Sequence, residues 1–204
     1  MSAARQPALP ADLAQPEGEA ASAALALAEQ ASPPFLVNHV QRTYRLALLF
    51  ADVDRIEFDR EFLYVGAILH DLGLTERFDG PRCFENESAA AAATFARDQG
   101  WEALRAERLA EAIRLHMHPR VVPEDDAVGY LLSEATSCDV RGHRLDELRS
   151  DTVAALTAIY PRLGFKDAFV ELFERQAVAK PGCLADLYLK GGWGDRVRSA
   201  PFPE

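Results

Sequence analysis

Four stretches of this chain repeat apolar residues at helical spacing, and each stripe carries a histidine or an aspartate. Leu36, His39, Val40, Thr43, Ala47 and Phe50 fall on one face of a helix read over about 35–50. Leu63, Gly66, Ala67 and His70 share a second face, and Leu109, Ala112, Ile113 and His116 a third. Val128, Leu132, Ala135 and Asp139 form the last. A stripe that is otherwise apolar faces a core, so three imidazoles and a carboxylate point inward, with Asp71 directly after His70. Ala and Leu dominate the apolar residues and β-branched types are sparse, which favours helix over strand. The expected fold class is all-α, a packed helical bundle without sheet.

Pro and Gly punctuate the chain. Residues 1–18, with Pro7, Pro10 and Pro16, read as a flexible lead-in, 19–190 as the folded domain and 191–204 (GGWGDRVRSAPFPE) as a peripheral tail. A short helix over 19–30 stops at Ser32-Pro33-Pro34. Asp59 or a neighbour caps the next, which ends near His70 with Gly73 beyond it. Residues 74–86 read as a loop, and Asn86 or Ser88 as the cap of a helix reaching Gly100. Further helices are expected over about 102–116, 125–140, 150–160 and 165–179, the last with Phe165, Phe169, Leu172 and Phe173 as its stripe.

A buried carboxylate without a partner costs several kcal/mol, and buried charges are normally paired or bound to metal. No Lys or Arg occupies the stripes of His39, His70, His116 and Asp139. A divalent cation would neutralise both carboxylates and accept neutral imidazoles as donors. Each residue also has a plainer reading. A single histidine is more often a satisfied core or surface residue than a ligand, and Asp139 can pair with Arg141 or Arg144 nearby. Only the co-occurrence on four faces favours a metal.

The remaining features exclude more than they assign. Net charge is −10, with 32 acidic against 22 basic residues, a balance that repels a phosphate backbone and disfavours nucleic acid as a partner. No apolar run is long enough to span a bilayer and no signal-peptide pattern opens the chain, so no membrane partner and a cytoplasmic address are expected. Three cysteines at irregular spacing make no disulfide framework. A phosphate-binding GxxxxGK loop, a GxSxG elbow, HExxH and CxxC are all missing. A small-molecule substrate is the expected partner, and a homo-oligomer is compatible with the sequence.

The order His39, then His70-Asp71 closing a helix in LYVGAILHDLGL, then Asp139 in SEATSCDV resembles the H…HD…D pattern of the HD superfamily, helical metal-dependent phosphohydrolases and related enzymes. NHVQRTY, RCFENESAAAAA, GHRLDEL and YPRLGFK bring it closer to the cyanamide hydratase-like branch, over about residues 20–185. That branch usually has Gly where Ser88 stands. The acidic residue that nucleotidase-type members place soon after the HD pair is replaced by Leu74 and Thr75. The resemblance implies a helical HD bundle with one divalent metal, zinc first and iron, manganese, cobalt or nickel as alternatives, on His39, His70, Asp71 and Asp139. It implies water activated on that metal, with Asp71 steering it. His116 reads as an acid/base group, a substrate contact or a second-metal ligand, or else as a hydrogen-bonded core residue. Arg42 reads as a substrate contact or a salt bridge between helices, and His118 as a pocket rim or a surface residue. Hydration of a small nitrile such as cyanamide, phosphomonoester hydrolysis and a non-catalytic ligand-binding module are the three functions compatible with this reading.

Overall fold

The computed structural model describes residues 11–118 and 120–204. Among the described residues there is no strand, and the helices are α1 (Glu19–Ala31), α2 (Pro34–Asp54), α3 (Arg60–Leu69), α4 (Phe84–Asp98), α5 (Ala103–Leu115), α6 (Ala127–Arg141), α7 (Ser150–Ile159), α8 (Phe165–Ala179), α9 (Leu184–Lys190) and α10 (Trp193–Arg198). The expectation of an all-α fold holds. Among the described residues no helix is long and apolar enough to cross a membrane.

The helix boundaries follow local chemistry. Pro34 opens α2 at a position where its missing N–H costs no helical bond. The Asp59 carboxylate accepts the Phe62 N–H and caps α3, and Asp126 accepts from Gly129 to cap α6. The expected cap at Asn86 or Ser88 is corrected: α4 begins a turn earlier, after Cys83, which makes no side-chain cap bond. Ser88 therefore lies inside the helix, where its hydroxyl accepts the Gly73 N–H at 2.8 Å. Gly73 is required there, because a Cβ would collide with the Phe84 carbonyl. This close approach fixes the turn after His70-Asp71 against the start of α4.

Helix α2 is the hub, packing on α3, α6 and α8, while α4 lies along α5 and α5 along α6. One apolar cluster joins α1 to α7, with Leu63, Leu109 and Leu132 wholly buried. A second gathers Leu36, Phe84 and Val140 around the aromatic residues Phe165, Phe169, Phe173 and Trp193. The ionisable residues lie between the two.

Both ends of the chain depart from expectation. Residues 1–10 of the expected lead-in lie outside the described residues, but residues 11–18 are anchored. Leu13 is buried, Arg60 donates to the Ala14 carbonyl at 2.9 Å, and the Tyr64 hydroxyl donates to Gln15. The tail 191–204 is not peripheral. Trp193, Val197, Ala200 and Phe202 are buried, and Glu204 pairs with the buried Arg162 at 3.1 Å. Alternating polar and apolar residues in so short a segment gave no sign that an aromatic core would cover it.

Candidate metal centre

His70 and His116 each stand at the C-terminal cap of a helix, α3 and α5, where the last carbonyls have no helical partner. Their rings use that geometry. His70 Nδ1 lies 2.7 Å from the Ala67 carbonyl, and His116 Nδ1 lies 2.5 Å from that of Ile113. A carbonyl only accepts, so both Nδ1 atoms carry the proton and both Nε2 atoms present a lone pair when the ring is neutral. His39, from the middle of α2, is held in the same sense by a side chain, its Nδ1 donating to Asp139 Oδ2 at 2.7 Å. The ring centroids of His39 and His70 are 5.3 Å apart, and those of His70 and His116 4.9 Å.

Asp71 lies where these nitrogens converge. Its Oδ2 is 3.3 Å from both His39 Nε2 and His70 Nε2, and its Oδ1 is 3.9 Å from His116 Nε2. All four residues are buried. His39 Nε2, His70 Nε2 and Asp71 Oδ2 are shielded from solvent, and none has a hydrogen-bond partner. Three lone-pair atoms left without a hydrogen bond in one buried place would each cost about 1–3 kcal/mol or more. Their ligating atoms all lie within 4.8 Å of one another, and the group could hold a metal ion. Two imidazole nitrogens and a carboxylate oxygen are donors that zinc, iron, manganese, cobalt and nickel all accept.

Asp139 is placed differently from the expected ligand set. Its Oδ1 accepts from Arg42 Nε at 2.7 Å and faces Arg162 Nη1 at 3.3 Å, while Oδ2 accepts from Arg42 Nη2 at 2.8 Å as well as from His39. Both oxygens are thus committed behind His39, and the inference that no cation neutralises this carboxylate fails for Asp139. It holds for Asp71, which meets no Lys or Arg among the described residues. Nor does Asp139 pair with its neighbours. Arg144 binds Asp54, Glu134 and Glu147, and Arg141 donates to Ser137. Arg42 is fully buried on Asp139 and the Tyr160 carbonyl, so the structure places it as a clamp between helices and not in the cavity as a substrate contact. In the loop and first turn before Ser88, Arg82 binds Glu87, and Glu85 is buried beside Asn86.

Electrostatics follow from these contacts. Burial works against ionising Asp71, but His70 and His39 hold its carboxyl well below the usual range. Burial likewise opposes ionised Asp139, and Arg42, His39 and Arg162 override it. Burial disfavours a protonated His39, yet its hydrogen bond to Asp139 and the nearby Asp71 carboxylate raise its pKa. For His116 burial wins, with His70 adding to it, and the pKa falls to about 3. At neutral pH His116 is an uncharged imidazole with Nε2 free to accept a hydrogen bond.

A cavity of about 290 Å³ opens above this floor. His39, His70, Asp71 and His116 form its base, and the exposed His118 also lies on its lining. One wall is aromatic, from Phe169, Phe173, Tyr188 and Trp193; the other is the polar face of α6, with Ser133, Thr136 and Ser137 and the charged Glu134 and Arg141, and Arg196 of α10 also lines the cavity. The sequence reading missed Arg162 as the second cation on Asp139, and Trp193 as a cavity residue. A Trp between glycines in GGWG was the one signal available.

Residues 36–157 match the HD domain family model, more than half of the chain. The chain belongs to the HD-domain family. It is also similar to the cyanamide hydratases DDI2 and DDI3 of Saccharomyces cerevisiae, each 26 % identical over 161 residues that cover 76 % of this chain and 70 % of the relative. The family match begins at Leu36 and ends at Thr157, so the three histidines, Asp71 and Asp139 of this HD domain all fall within it, while Arg162, Phe169, Phe173 and Trp193 lie beyond it.

Proposed function

We propose that this HD domain holds a divalent cation on His39, His70 and Asp71 and adds water across a carbon–nitrogen triple bond, turning a cyanamide-type compound into the corresponding urea. Family membership and the likeness to cyanamide hydratases support metal-dependent hydrolase or hydratase chemistry in general. The observation that carries the finer reading is the state of the buried guanidiniums. Arg42 and Arg162 face Asp139, so among the described residues no Lys or Arg pairs with the floor residues Asp71, His39, His70 or His116. The two arginines on the cavity lining, Arg141 and Arg196, donate instead to Ser137 and to the Gly191 carbonyl, so the floor holds no guanidinium aimed at a phosphate ester. A neutral nitrile needs none.

When bound, a divalent cation supplies Lewis acidity and brings the pKa of a coordinated water towards neutrality. The residues of the chain do the rest. Asp71, its Oδ2 directed at the two histidines, keeps Oδ1 on the side of His116, where it can orient a water proton. His116 stays neutral and accepts a hydrogen bond at Nε2, from the attacking water or from substrate nitrogen. Asp139 stabilises the Nδ1–H tautomer of His39, a second-row contact that raises ligand basicity.

The test is metal analysis of the purified protein, followed by parallel assays for urea from cyanamide and for inorganic phosphate from nucleoside monophosphates. Urea without phosphate is expected. Phosphate without urea selects phosphomonoester hydrolysis instead, and a protein that binds no divalent metal ends both readings.

A further inference from the structure

Cyanamide has three non-hydrogen atoms, and the cavity is far larger than it needs. At about 290 Å³ it lies at the lower edge of the range for drug-sized ligands, about 300–1,000 Å³. The added space has a definite chemistry. Phe173 and Trp193 stack with centroids 4.1 Å apart and planes 21° from parallel, and Phe169 lies 5.9 Å from Trp193 and 5.1 Å from Phe173. These rings are more than nine-tenths buried and are held rigid by one another. They continue down to the metal centre, where Phe169 lies 5.2 Å from His39. Tyr188 extends the wall outward, fixed by its hydroxyl donating to the Met117 carbonyl at 2.5 Å.

Facing them, α6 offers Ser133, Thr136 and Ser137, and the lining also holds Glu134 and Arg141 of α6 and Arg196 of α10. A slot with rigid aromatic rings on one wall and hydroxyls on the other fits a flat apolar body with polar atoms along one edge. It would be poorly used by a three-atom substrate, which touches only the floor.

We propose that the substrate of this HD domain is an N-substituted cyanamide whose flat aromatic substituent rests on the Phe169–Phe173–Trp193 wall while its cyano carbon reaches the His39–His70–Asp71 floor. This rests on the hydratase reading and extends it to a substrate class. In the reaction, water oxygen forms a bond to the cyano carbon and the two π bonds to nitrogen are replaced. Both water protons end on that nitrogen, so that phenylcyanamide and water give phenylurea with no other product. The substituent nitrogen keeps its hydrogen, which a Ser or Thr hydroxyl on α6 can accept.

Phenylcyanamide and cyanamide serve as paired substrates, read as the ratio of their kcat/KM values, with phenylurea as a binding probe. Quenching of Trp193 fluorescence reports binding in a Trp101→Phe background, the only other tryptophan being Trp101. The expected result is a ratio above one that falls at least tenfold in Trp193→Ala and in Ser137→Phe, which fills the slot from its other wall. A variant that merely folds poorly lowers both rates and leaves the ratio alone. Turnover of cyanamide with neither turnover of phenylcyanamide nor quenching by phenylurea overturns the substrate class and keeps the hydratase reading. Quenching by phenylurea with no hydration of either compound supports the slot and removes the hydratase reading. A ratio unmoved in both variants overturns the role of the wall.

Discussion

Replacing Arg42 by Met is the sharpest probe of how this site is held. The guanidinium is fully buried and makes two short bonds to Asp139, 2.7 Å from Nε and 2.8 Å from Nη2, with a third from Nη1 to the Tyr160 carbonyl at 2.8 Å. Methionine keeps an unbranched stem of similar length, so the loss is mainly electrostatic. Removing one partner of a buried ion pair costs about 3–5 kcal/mol, because the other charge is stranded. Arg162 still faces Asp139 Oδ1 at 3.3 Å and softens the loss, which places the expectation near the lower bound, about 3 kcal/mol. For a chain of 204 residues each kcal/mol moves Tm by roughly 2–4 °C, giving a fall of roughly 6–12 °C. Guanidinium chloride unfolding followed by circular dichroism measures it. The double variant Arg42→Met/Asp139→Leu should lose less than the two single variants together, since no charge is then left unpaired. The pH dependence carries a sign. Against burial, Arg42, His39 and Arg162 depress the Asp139 pKa in the fold. Its contribution is therefore complete above the ordinary carboxylate pKa of about 4 and is lost as pH falls below it. The gap between parent and variant should narrow in acid. A loss under about 1 kcal/mol at pH 7, with additive single variants, would refute the clamp.

Three further outcomes can be checked. Asp139→Asn, which weakens the acceptor behind His39 Nδ1, should reduce metal affinity by about 10–100-fold in a chelator competition while the helical spectrum is kept. Metal at a hundredfold excess over its Kd should stabilise the protein by about 2.7 kcal/mol relative to chelator-treated protein, and His70→Ala should abolish the difference. Glu85 is buried with Oε2 unpartnered, and burial raises its pKa. A carboxyl raised in the fold binds more protons folded than unfolded, so its effect on stability worsens as pH rises through and above the ordinary carboxylate range. Glu85→Gln should therefore unfold at higher denaturant than the parent at pH 7, with the gap closing towards pH 4; equal midpoints at pH 7 would contradict the assignment.

Periodicity made much of this legible. The faces ending at His39, His70, His116 and Asp139 are all buried, because a residue one or two turns along an apolar stripe has nowhere else to point. Asp59 was readable as a cap for the same local reason. What was hidden is non-local. Arg42 and Asp139 are 97 residues apart, and Arg162 comes from the turn before α8, so nothing along any one helix showed which carboxylate had guanidinium partners and which did not. The α4 start was misplaced because the deciding contact, Gly73 on Phe84, joins two elements. Trp193 was missed because a six-residue helix shows too few turns for a stripe to appear.

Of the three imidazole tautomers at the floor, two are written in main-chain atoms and one in a side chain. The Ala67 and Ile113 carbonyls exist whatever residue occupies those positions, so the lone pairs of His70 and His116 are insulated from substitution next to them. Only His39 takes its orientation from a replaceable group. Drift in the donor strength of this centre thus has a single point of entry, the Asp139 carboxylate and the two guanidiniums behind it, and a designer wishing to retune the bound ion would begin there, at a distance from any substrate.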